Sequence, residues 1–351
     1  MKKRIIFITL ILSLAMLFLL TGCDDIPLTA PTAPQAPAPT PSPEQSGQPA
    51  DGNQAQMQAS QLGNDNVAYI ASILESLSVD PAMFFVYNPS ASGINVERNE
   101  NAEIDFSNSA DGYIMIRFVR PTERRVMVRI EGPTGMEFTY FLRTDGEHDV
   151  FPLSDGNGSY QINVFENVDG NRFSLALAAT IDVELYDEFA PFLRPNQFVN
   201  FNEYTKAVAL AAHLVYGADD LLEKVSAIFT FIIENIRYDL ELAQTVQSGY
   251  VPDLDVVLQR GMGICFDYAA LMTAMLRSQS IPTRLVTGYA GVAYHAWIDV
   301  WSETEGWIHN VIFFDGNNWE LMDPTFAAAG GGAGLEQIIG DGTTYNALRL
   351  F

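Results

Sequence analysis

The chain has 351 residues, 48% of them hydrophobic, a length that accommodates one large or two medium cores beside a non-globular stretch. Its 43 acidic residues against 19 basic ones give a formal charge of −24, and a surface of that sign repels nucleic acid phosphates and anionic lipid headgroups. No nucleic acid partner is expected, and attachment to a membrane has to be covalent or hydrophobic.

At the N-terminus Lys2, Lys3 and Arg4 precede an apolar run from Ile5 to Leu20 that ends in Leu20-Thr21-Gly22-Cys23. The run is short for a spanning helix, and small residues stand just before the cysteine, as a signal peptidase site requires. This segment resembles the signal and lipobox of bacterial lipoproteins. The resemblance implies a signal peptide over residues 1–22, cleavage behind Gly22 and acylation, palmitate included, of Cys23. The mature protein would then sit on the extracytoplasmic face of the cell membrane, held by its lipid; an uncleaved N-terminal anchor is the alternative. Residues 23–63 read as a tether, because Pro27 to Pro49 alternates proline with Ala, Thr, Ser and Gln and so favours extended polyproline geometry. A ligand for a proline-binding module is the other use of such a stretch.

Between Asn64 and Val79 the apolar residues Val67, Ile70, Ala71, Leu74 and Leu77 recur at helical spacing, which predicts a short amphipathic helix capping the next domain. From about Ile94 to Leu185 the period changes to two, as in Tyr113-Ile114-Met115-Ile116-Arg117-Phe118 and Val126-Met127-Val128-Arg129-Ile130. Turn signals such as Asp111-Gly112, Gly132-Pro133, Asp145-Gly146 and Asp169-Gly170 separate the runs. Seven or eight short strands at this spacing predict an antiparallel β-sandwich over residues 64–190. Asp155 to Ser159 faintly resembles a calcium loop but lacks the glutamate that loop requires, and a hairpin turn is the better reading.

Helical patterns follow over Asn202–Tyr216 and about Leu221–Tyr238. The second is entered through Asp220 with Glu223 three residues on, and carries a wide apolar stripe of Val225, Ile228, Phe229, Ile232, Ile233 and Ile236. Gly261-Met262-Gly263-Ile264-Cys265 then reads as a glycine-rich turn delivering Cys265 to the start of a helix that runs to about Gln279 and is stopped by Pro282. Only two cysteines exist; with Cys23 lipidated, Cys265 has no partner within the chain. A small buried apolar role is the plain explanation of such a residue. At a helix N-terminus, however, unpaired N–H groups and the positive end of the macrodipole favour thiolate, the attacking form.

A thiolate needs an acid and base beside it. Tyr294-His295-Ala296-Trp297-Ile298-Asp299-Val300 alternates like a strand, the preceding Arg284 to Ala290 does so too, and on such a sheet His295 could face the helix of Cys265. His148 falls among the sandwich strands and His213 on an upstream helix. A carboxylate on a neighbouring strand would fix the imidazole, and Asp323 supplies one at the end of a strand reached from the Trp307 to Phe314 strand through the turn Asp315-Gly316-Asn317-Asn318. Asp299 and Asp315 are weaker rivals. The single unlipidated cysteine and the scattered histidines give no metal-ligand spacing, and no cofactor is expected.

Gly263-x-Cys265-x-x-Tyr268-Ala269, Ile281-Pro282, Gly288-Tyr289, His295-Ala296-Trp297, Gly306-Trp307 and Asp323-Pro324-Thr325 occur in the order and spacing that resemble the bacterial transglutaminase-like superfamily. The resemblance covers roughly Asn202 to Ala328. It implies an α+β fold in which a papain-like transglutaminase core, residues 191–351, follows the antiparallel β-sandwich, with Cys265 as nucleophile, His295 as acid and base and Asp323 as orienter. Gln259, six residues before Cys265, matches the offset of the oxyanion-hole glutamine in papain-like enzymes, with the backbone N–H of Cys265 as the other donor. The expected activity is thiol-dependent acyl transfer or amide hydrolysis on a peptide or protein substrate of the cell envelope. A catalytically silent module that binds peptide or cell-wall material is the alternative, against which the retention of all three residues argues.

Overall fold

The computed structural model describes residues 65–77, 80–290, 293–309, 313–314, 319–320 and 345–351. The expected leader, Cys23 and the expected tether lie outside the described residues, as does Asp323. A helix, α1, covers residues 65–76. Eight strands follow: β1 (Val96–Arg98), β2 (Ala102–Asp105), β3 (Tyr113–Phe118), β4 (Val126–Glu131), β5 (Glu137–Leu142), β6 (Asp149–Pro152), β7 (Gly158–Asp169) and β8 (Arg172–Val183). They form two four-stranded antiparallel sheets, ordered β1-β2-β3-β6 and β5-β4-β7-β8. The period-two pattern has its cause here, since Val126, Val128 and Ile130 of β4 face inward beside Phe138 and Tyr140 of β5 and Ile162 and Val164 of β7. Across the sandwich the Tyr140 ring meets Phe151 of β6 with 4.8 Å between centroids. Asp155 turns out to brace a hairpin: its Oδ2 accepts the Thr134 N–H at 2.8 Å and its Oδ1 the Thr134 hydroxyl at 2.7 Å.

The second half alternates helices with short strands: α2 (Lys206–Leu214), α3 (Leu221–Asn235), β9 (Arg237–Tyr238), α4 (Leu240–Thr245), α5 (Leu254–Arg260), β10 (Met262–Gly263) and α6 (Cys265–Arg277). Then come β11 (Thr283–Ala290), β12 (Ala293–Ser302), β13 (Gly306–Ile308), β14 (Phe313–Phe314), β15 (Trp319–Glu320) and β16 (Tyr345–Leu350). A third antiparallel sheet has the order β13-β12-β11-β16. Every residue of α6 from Asp267 to Arg277 is buried, the mark of a helix enclosed on all sides. It packs on β11 and β12 and against α2, α3 and α5.

Two expectations need correction. The helix before the sandwich does not serve the sandwich: Asn66 Nδ2 donates to Glu234 O of α3 at 2.9 Å, and Val67 and Ile70 approach Gly261, so α1 lies on the second half. Its apolar stripe specified that it would be buried, not where. The single strand expected over Trp307–Phe314 is two, with β13 paired to β12 and β14 paired to β15 through Phe313↔Glu320 and Phe314↔Trp319. Trp307 pairs with Trp301 and Phe314 with Trp319, so the ladder changes partners between them.

The two halves share one continuous core cluster. Phe351, just past β16, stacks edge-on against Phe138 at 5.7 Å and Phe198 at 4.9 Å. Arg349 Nε donates to Glu137 O at 2.8 Å, and the Ser154 hydroxyl to Leu350 O at 2.6 Å. The seam near residue 190 is therefore a packed interface, and β16 belongs to both sides of it.

Candidate active site

The local sequence explains how Cys265 is delivered. Gly261 ends α5 at φ 57°, the left-handed conformation that suits glycine at a helix C-terminus. The chain then runs parallel to β9, with Arg237 N–H donating to Gly261 O and Asp239 N–H to Gly263 O, both at 2.9 Å. Ile264 occupies the N-cap in an extended conformation, and Cys265 is the first helical residue. The thiol is half-buried and packs against the core cluster.

Beneath this turn stands Asp267, fully buried. Its Oδ2 accepts the Ile264 N–H at 2.8 Å and its Oδ1 the Tyr250 hydroxyl at 2.7 Å. Burial raises its carboxyl above the ordinary aspartate range, with the two hydrogen bonds and Arg260 opposing. Burial, aided by the bond to Asp267, also raises the Tyr250 phenol. Arg260 donates to Asp239 Oδ2 at 2.7 Å. Gly263 has no side chain for a steric reason: a Cβ there would stand 2.6 Å from Asp267 Cβ. The sequence patterns gave Asp267, Tyr250 and Gly263 no such roles; an acid three residues after the N-cap was the available signal.

His295 lies in β12, the strand against which α6 packs, and is 3% exposed. It shares a strand face with Trp297 and Asp299, while Ala296, Ile298 and Val300 join the core cluster. Its ring stacks with Trp297, centroids 6.2 Å apart, and meets Tyr345 of β16 at 6.1 Å. Gly288 of β11 is the register partner of His295, and any Cβ there would collide with the Asn346 carbonyl and the Trp297 ring.

Of the residues singled out from sequence, Cys265 and His295 sit on two elements packed together, but the β12 face that joins α6 in the core cluster carries Ala296, Ile298 and Val300, and His295 lies on the opposite face beside Trp297. Gln259 stands on α5 with its side chain exposed. Asp299 is buried and its Oδ2 lies 3.0 Å from Nδ1 of His309. His148 is 3.1 Å from Glu103 within the sandwich, and His213 rides on α2. Asp315 and Asp323 fall outside the described residues. Among the described residues no helix is long and apolar enough to cross a membrane.

Residues 208–310 match the family model described as the transglutaminase-like superfamily. The chain is 27% identical over 119 residues to the uncharacterized protein YebA of Bacillus subtilis, covering 28% of this chain and 16% of that protein. It is 28% identical over 107 residues to a protein-glutamine gamma-glutamyltransferase of Pseudomonas aeruginosa, covering 26% and 14%. The chain therefore spans about a sixth of the length of these curated relatives. Among solved structures, the periplasmic domain of TgpA from Pseudomonas aeruginosa is similar at 19% identity and a TM-score of 0.32, over 69% of this chain and all of that one. The family match, the sequence motifs and the half-buried thiol at the head of α6 identify residues 208–310 as a transglutaminase-like core, a domain of the transglutaminase-like superfamily.

Proposed function

We propose that this protein is a thiol-dependent acyl-transfer enzyme of the transglutaminase-like kind, acting on peptide or protein amides at the cell surface. The observation that carries this reading is the placement of Cys265 at the first position of a buried helix that packs on the strand of a buried histidine. The Cys265 thiolate attacks the amide carbonyl, and the oxyanion is met by the N–H groups of the first turn of α6. His295 protonates the departing amine, leaving a thioester on Cys265. Water or a second amine then takes the acyl group, with His295 accepting the proton. Asp323 orients the imidazole and stabilises its charged form. Gln259 is the candidate side-chain donor to the oxyanion.

Hydrolysis is the expected main outcome, since a tethered surface enzyme works in bulk water. Labelling the protein with a peptide-backbone electrophile directed at thiols tests the reading: modification should fall on Cys265 and be lost in His295→Ala. Equal labelling of native and heat-unfolded protein would leave Cys265 an ordinary thiol.

The surface location is part of the same proposal and rests on the charged start, the apolar run and the Leu20-Thr21-Gly22-Cys23 ending. Metabolic labelling with palmitate is expected to mark the native chain and to leave Cys23→Ser unlabelled. Label retained in that variant would place the anchor elsewhere.

A further inference from the structure

We propose that Asp267, held by Tyr250, is the positioning residue of this site: it fixes the first turn of α6 while leaving the Cys265 backbone N–H available to the oxyanion. The inference rests on the reading of Cys265 as the acyl-accepting thiol.

The first N–H groups of an α-helix have no intrahelical acceptor, and a polar N-cap side chain ordinarily takes one of them. Here the N-cap is Ile264, which has no side-chain acceptor. An apolar residue is among the least favoured at that place, and such breaches of a local rule concentrate at functional sites. The turn is secured instead from the other side. The Asp267 carboxylate reaches back to the Ile264 N–H, one residue ahead of the helix, and its second oxygen is taken by the Tyr250 hydroxyl. Both oxygens are thereby occupied by donors other than Cys265. The first-turn amides are left for whatever the thiol binds.

The arrangement is expensive. A fully buried carboxylate carries a desolvation cost that shows in its raised proton affinity. Arg260 offsets part of that cost, but its nearest partner is Asp239. A buried acid at this position is retained with three supports: the Ile264 amide, the Tyr250 phenol and a glycine at 263 without which the carboxylate could not fold back. Tyr250 brings more than a hydroxyl. It belongs to the segment between α4 and α5, and its ring lies 6.5 Å from that of Phe266, the residue beside the thiol. Phe266 in turn meets Phe198 at 5.2 Å, and Phe198 meets Tyr140 of the sandwich at 5.2 Å. The bond between Tyr250 and Asp267 therefore secures one flank of the thiol to a core shared with the sandwich.

The test uses the full chain and p-nitrophenyl acetate, with acetylation of Cys265 confirmed by the mass of its peptide. The thiolate sulfur bonds to the acetyl carbon as the C–O bond to p-nitrophenolate breaks, and the leaving group departs as an anion. The nucleophile and the oxyanion donors are thus read without a proton from His295. Asp267→Ala should slow acetylation by roughly tenfold or more with KM moved less than about twofold, a fraction of the effect of losing an oxyanion donor outright. Asp267→Asn keeps a carbonyl oxygen for the Ile264 amide and an NH2 for the Tyr250 oxygen, and should recover to within about threefold of the native rate. Tyr250→Phe leaves one oxygen of the buried carboxylate without its donor, and should slow acetylation by roughly two- to fivefold with the melting midpoint lowered by only a few degrees.

A native rate in Asp267→Ala overturns the proposal, as does Asp267→Asn being as slow as Asp267→Ala. Should Asp267→Ala fail to fold, Tyr250→Phe decides, and a native rate there is fatal. Failure of the underlying reading looks different: Cys265→Ala would release p-nitrophenolate as fast as the native chain, and no acetyl group would be found on the Cys265 peptide.

Discussion

Cys265→Ala and His295→Ala are each expected to lower amide turnover by about 10⁴-fold or more, and the double variant to be no worse than either alone, because nucleophile and base act as one unit. Asp323→Asn should impair turnover by a smaller factor, since a carboxylate that only orients the imidazole forms no bond to the substrate. The proposed roles follow from chemistry. A thiolate is the only group of the three that can form the acyl-enzyme, and an amine cannot leave without the proton that the imidazole supplies. Thermal melts should show all three variants folded, for Cys265 is half-buried and loses one atom. His295 is 3% exposed, so its variant carries the larger cavity and the larger stability loss. Adding a primary amine to the same assay separates the acceptors: thioester hydrolysis should dominate, and amine adducts in high yield would make transfer the main reaction. Full turnover in Cys265→Ala would sink the enzyme reading.

Much of this architecture is legible in the sequence because each large element carries a period. The strands from Val96 to Val183 alternate and are punctuated by glycine turns, and all eight fall inside the stretch marked from Ile94 to Leu185. The start of α6 could be placed at Cys265 because glycines precede it and an unbroken helical run follows. What stayed illegible was short or long-range. The helices α4 and α5 have six and seven residues, too few for periodicity to show. Their caps were nevertheless written in the chain, since Asp239 and Asp253 accept the N–H of Leu242 and Val256. The destination of α1 could not be read, since one apolar stripe fits either half. Nor could the role of Asp267, because its partner Tyr250 comes from a segment 17 residues away.

A buried guanidinium gives the largest expected effect on stability. Arg277, the last residue of α6, is 1% exposed and donates to three backbone carbonyls: Thr283 O at 2.9 Å, Arg194 O at 2.7 Å and Phe351 O at 2.6 Å. These belong to the start of β11, the segment before α2 and the residue after β16, so one side chain joins the end of the helix to three separate stretches. Burial pulls the guanidinium below the ordinary arginine range, a cost that only its hydrogen bonds offset. Arg277→Met keeps the aliphatic stem and removes that cost, but it cannot remove the carbonyls. Phe351 O still receives the Leu285 N–H at 3.0 Å, whereas Thr283 O and Arg194 O lose the guanidinium. One buried and one part-buried acceptor left without it, at ~1–3 kcal/mol each, outweigh the relief, and a net loss of about 2–4 kcal/mol is expected. For a body of this size that is a fall in melting midpoint of roughly 5–15 °C. Arg277→Lys, whose ammonium can reach some but not all of these carbonyls, should fall between. The thiol lies at the opposite end of α6, so acetylation of Cys265 well below the new midpoint should keep its native rate. A melting midpoint in Arg277→Met equal to the native one would mean that the orphaned carbonyls find other donors, and the junction would then owe its stability to Phe351 and its aromatic neighbours instead.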